Sequence, residues 1–114
     1  MVMTHAENNP ISATITQMKA AIAEGAFIEF CGSSLLPASA AERMDKWARD
    51  IRELGPEHVI LSTDLGQANN PLPPDGLAAF MLALKVRGYT DQELDMMAKD
   101  NPATLLGLPP APKP

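Results

Sequence analysis

Three short apolar runs, separated by segments that open with helix-capping signatures, leave this chain few folds to choose from. The runs are Met1–Thr4, Ala26–Cys31 and Val59–Thr63. Between them lie Thr14-x-x-Gln17 and Ser39-x-x-Glu42, each a capping box in which a hydroxyl and a side chain three residues on satisfy each other's backbone N–H groups. Strands joined through helices run parallel and cross over with a right hand. The expected order is β-α-β-α-β-α-α, an α/β chain.

The helices follow from spacing. Ile11, Ile15, Met18 and Ile22 recur at helical intervals, and Gly25 supplies the stop. Ala40, Met44, Trp47, Ile51 and Leu54 form one buried stripe on the second helix. Arg43, Asp45, Lys46, Arg49, Asp50 and Arg52 fill its other sides as a solvated face. Gly55-Pro56 ends that helix. Asp75 is expected to cap a third helix running to Gly88, and Thr90-x-x-Glu93 to open a fourth reaching Lys99. Asn101-Pro102 then starts a last short turn packed down by Leu105, Leu106 and Leu108, and Pro109–Pro114 reads as a frayed, proline-rich tail. The connection Leu65–Pro74 is long for an α/β unit, where about 2–6 residues is usual. It carries Gln67, Asn69 and Asn70 and is stiffened by prolines.

Composition narrows the partners. The net charge is −5, with no basic cluster along the sequence, so binding nucleic acid by phosphate neutralisation is not expected. Aromatic residues make up only 4% of the chain, so the core must come from aliphatic side chains and from the seven methionines as gap-fillers. The single cysteine, Cys31, permits no internal disulfide and suits a reducing compartment. No signal peptide is visible at the amino terminus, and the longest apolar run, Leu77–Leu84, is far below the roughly 20 residues of a spanning helix. A soluble cytoplasmic protein with no membrane partner is the expectation.

The second strand poses a problem of cover. Phe27, Glu29 and Cys31 point to one face while Ala26, Ile28 and Phe30 point to the other. Both faces hold apolar groups, and one helical layer covers one face. The other is expected to meet more strands, more helices or another subunit, as in the last part of a larger fold.

A family resemblance lies in these residues. The order Thr4-His5-Ala6-Glu7, then Gly25-Ala26-Phe27-Ile28-Glu29, then Ser62-Thr63-Asp64-Leu65-Gly66-Gln67 and Asn70-Pro71-Leu72-Pro73 resembles the carboxyl-terminal part of the amidohydrolase superfamily. The ending Asn101-Pro102-Ala103-Thr104-Leu105-Leu106-Gly107-Leu108 is similar to that superfamily's terminal signature, and the likeness is greatest to an uncharacterised amidohydrolase-like group. The resemblance covers residues 1–108 and implies a partial (β/α)8 barrel whose strands match the sixth, seventh and eighth. It implies that Asp64 is the catalytic, metal-binding aspartate that takes a proton from attacking water. It implies that His5 is a ligand of the second metal. Gln67, Asn69 and Asn70 would contact a small-molecule substrate. The superfamily's His-x-His pair, bridging residue and fifth-strand histidine have no counterpart in the sequence.

The implied chemistry is water attack on an amide, ester or phosphoester. A divalent metal brings the pKa of bound water to about 7. Zinc suits imidazole and carboxylate, as do manganese and iron. Catalytic zinc takes three protein ligands, so His5 and Asp64 alone would not hold it tightly. Asp64 also reads as a turn-stabilising Asx residue, His5 as an exposed residue near the terminus, and Gln67, Asn69 and Asn70 as loop solvation. His58 stands at the wrong end of its strand for the site. Glu29 is either a polar group on the interior face or an exposed position. Cys31 is a small buried hydrophobe, with no base partner in view. Two other readings stay open: a catalytically silent fragment, and a small α/β module that self-associates through its open sheet face.

Overall fold

The computed structural model describes residues 1–4, 13–32, 40–64 and 72–109. The apolar runs form strands β1 (Val2–Thr4), β2 (Phe27–Cys31) and β3 (Val59–Ser62). They make one parallel sheet in the order β1-β2-β3. Interleaved with them are α1 (Ile15–Ala23), α2 (Ala40–Leu54) and α3 (Pro73–Val86). The chain ends in α4 (Asp91–Asp95), a π-helical turn (Met96–Asp100) and α5 (Asn101–Leu105). The expected α/β order holds. The sheet is open, with three strands among the described residues, and does not close into a barrel.

Register assigns the faces. Val2 pairs with Phe27 and Thr4 with Glu29; Glu29 pairs with Ile60 and Cys31 with Ser62. Paired residues of a parallel sheet share a face, so Met3, Ile28, Phe30, Val59 and Leu61 lie together on the other one. That second set joins Met18, Met44, Trp47, Ile51, Leu54, Phe80, Leu84, Leu94 and Met97 in one core cluster. The helices that build this cluster therefore serve one face, as expected of a single helical layer. Trp47 is the hinge of this packing: Phe30 meets it edge-on at 5.2 Å and Phe80 lies tilted at 5.8 Å. Edge-to-face contact suits the ring quadrupoles.

The local signals behave as their chemistry requires. Thr14 and Gln17 form the full capping box, as do Thr90 and Glu93. The Ser39 box and Ile11 fall outside the described residues. Gly55 ends α2 with φ +95°, and a Cβ there would come within 2.6 Å of the Glu57 carboxylate. Only glycine fits that turn without strain.

Two expectations are corrected. Asp75 does not cap α3: the helix starts two residues earlier, with Leu72 as its cap and Pro73-Pro74 in the first turn. Proline lacks the N–H that has no partner there and brings a helix-ready φ, so it opens the helix. Asp75 still favours the positive end of the helix dipole. The fourth helix does not stop at Lys99 before a separate turn. It continues through Leu105, because Asn101 N–H reaches back five residues to Met96 O and widens the turn. Pro102 has no N–H and its ring crowds the carbonyl four residues back, and a π-turn is a way to absorb both.

Candidate functional site

Three strands that run side by side bring their last residues to one edge. Thr4 ends β1, Cys31 ends β2 and Ser62 ends β3. All three share the face opposite the helices with Glu29. There Glu29 is the hub. Its Oε2 accepts a hydrogen bond from Thr4 Oγ1 at 2.7 Å, and its Oε1 accepts one from Ser62 Oγ at 2.6 Å. Cys31 Sγ stands 3.7 Å from Oε1 and 3.3 Å from Ser62 Oγ. One carboxylate thus ties all three strands together at their carboxyl ends. Charge-assisted hydroxyl bonds of this length are among the stronger ones a protein makes.

Their surroundings are half-covered. Cys31 and Ile60 are buried, while Thr4, Phe27, Glu29 and Ser62 are partly exposed. None of these side chains belongs to the main core cluster.

Asp64 follows Ser62 by two residues, at the same edge. It is exposed, and its φ of +53° puts it in the left-handed region. Aspartate tolerates that conformation better than most residues, because its short side chain bonds locally. Thr63 and Asp64 both have bonded or electrostatic neighbours. His5, Gln67, Asn69 and Asn70 lie outside the described residues. His58 is at the opposite edge, in a 3-10 turn, 3.5 Å from Glu57.

No three histidine, cysteine, aspartate or glutamate side chains gather into a metal-holding group among the described residues. Glu29 already has a hydroxyl donor on each oxygen. The described residues by themselves do not fit a catalytic zinc, which takes three protein ligands.

Sequence reasoning undervalued Glu29. Its parity with Cys31 was visible, but its bonds to Thr4 and Ser62 depend on register, and nothing in a single strand fixes register. Asn101, expected to start a turn, is a structural lock. Its Nδ2 donates to Pro56 O at 2.8 Å and Val59 O at 2.7 Å, at the amino end of β3 and far in sequence from the polar edge.

No protein-family model, curated protein or solved structure matches this chain.

Proposed function

We propose that this chain is the carboxyl-terminal portion of a metal-dependent hydrolase with an amidohydrolase-like barrel, acting on an amide, ester or phosphoester of a small molecule. One observation carries the reading. Three parallel strands in sequence order concentrate Thr4, Glu29, Cys31 and Ser62 at their carboxyl ends, on the face away from the helices. In (β/α)8 barrels that face is the interior, and catalytic groups come from that end of the strands. His5 is the next residue after β1 and Asp64 the second after β3.

In this reading Asp64 is the proton acceptor, His5 a metal ligand, and Glu29 the residue that fixes the spacing between the strands bearing them. Gln67, Asn69 and Asn70 contact substrate. The metal, zinc or else manganese or iron, is not held tightly by this chain alone, and its remaining ligands come from whatever completes the uncovered sheet face. The step from fold to chemistry is one of analogy.

The experiment is hydrolysis by the protein expressed from its native gene, with Asp64→Ala beside it. Turnover should require a divalent metal, stop with a chelator, and vanish in the variant while its far-ultraviolet dichroism is unchanged. Turnover that survives Asp64→Ala overturns the assignment. A discrete, inactive dimer indifferent to metal would instead favour a module that self-associates through the open face.

A further inference from the structure

Three of the chain's four arginines line a single cavity, although the chain as a whole carries a net charge of −5. The cavity is shallow and largely open to solvent, about 370 Å³, and is bounded by Asp45, Ala48, Arg49 and Arg52 of α2 with Arg87 and Tyr89 beyond α3. It lies on the helical side of the sheet, where Ala48 and Tyr89 reach into the core, opposite the face that carries Glu29.

Two of the guanidinium groups are held in place. Arg52 bonds both carboxylate oxygens of Glu93, donates from Nη2 to Gly88 O at 3.5 Å, and stacks over the Tyr89 ring, 4.1 Å from its centre. Arg87 donates from Nε to Asp45 Oδ1 at 2.7 Å and from Nη1 to Ala83 O at 2.9 Å. A guanidinium has five N–H donors, so each keeps donors beyond those bonds. Arg49 is exposed, and no ion pair holds it among the described residues. Asp45 and Glu93 offset two of the three positive charges and leave one in excess.

We infer that this cavity binds a phosphoryl group of a small-molecule ligand. Arginine presents a planar fork that matches phosphate oxygens. A phosphate monoester has enough oxygens to take the open fork of Arg49 together with remaining N–H groups of Arg52 and Arg87, whereas one carboxylate is saturated by a single fork. Arg52 and Arg87 are pre-positioned by their acids, so binding need not order them, and Arg49 supplies the uncompensated charge. The site is separate from the strand-end residues and does not depend on the hydrolase reading.

The test is calorimetric titration of the whole chain with inorganic phosphate, at ionic strength held constant with chloride. Wild type should give saturable binding. Arg49→Ala should weaken it about tenfold or more, as loss of a charge-assisted bond does. Arg49→Lys, which keeps the charge and loses the fork, should fall between the two. Lys19→Ala should bind like wild type, since Lys19 pairs with Glu53 at 2.9 Å outside the cavity. A melting midpoint unchanged in Arg49→Ala without phosphate verifies that the variant is folded. Absence of saturable binding by wild type, or equal weakening by Lys19→Ala, overturns the site. Acetate binding as tightly as phosphate overturns the phosphoryl assignment.

Discussion

Asn101 and Tyr89 show how single polar groups are accommodated in this core. Asn101 is buried, and its amide satisfies the carbonyls of Pro56 and Val59 where the chain turns into β3. Asn101→Ala leaves both acceptors without that donor, and an unsatisfied buried group costs about 1–3 kcal/mol. The expected loss on denaturant unfolding is about 2–3 kcal/mol. Asn101→Asp should cost more, because a carboxylate would face two carbonyl oxygens. Tyr89 is buried with its hydroxyl donating to Ala48 O at 2.6 Å. Burial pushes its pKa up to about 12 from 10.0, with the nearby Arg52 opposing. The folded state therefore keeps a proton that the unfolded chain releases, so stability should fall as pH rises from 10 to about 12. Tyr89→Phe should flatten that part of the stability profile. The opposite sign holds for Glu93, whose carboxyl the Arg52 hydrogen bond keeps below its ordinary range. Its contribution is present above that range and is lost as pH falls. With Arg52 about half exposed, that ion pair is worth little, under about 1 kcal/mol.

Among the elements, those whose information is local were readable from sequence. The capping boxes at Thr14 and Thr90 are visible in four residues, and the stripe Met44, Trp47, Ile51, Leu54 lies on the buried face of α2. Alternation in β2 separated Ile28 and Phe30 from Glu29, and the fold sets the first two against the helices. What sequence missed depends on partners far along the chain. The start of α3 turned on the choice between an acidic cap and a proline pair, and proline geometry prevailed. The continuity of α4 into α5 required a π-turn, which has no propensity signature. The Glu29 cluster needed the register of three strands, and the arginine cavity needed Arg87 to meet Asp45 across 42 positions. In sequence alone Arg49 and Arg52 were simply the wet side of a helix.

At the scale of the whole molecule the two sheet faces divide the labour. One carries the aliphatic and aromatic core, built with side chains of α1 to α4 and the π-helical turn. The other carries a carboxylate, two hydroxyls and a thiol at the strand ends, with Val2 and Phe27 only partly covered. The described part of the chain holds no helix long and apolar enough to cross a membrane. In the proposed hydrolase the polar edge is a metal-dependent site built around His5 and Asp64. Zinc titrated into the chain, followed through its amide resonances, probes that edge residue by residue. A metal-dependent site should give a weak, saturable response confined to the residues flanking Thr4, Glu29 and Ser62, lost in both His5→Ala and Asp64→Ala. An identical response in either variant, or none in the wild type, would contradict it.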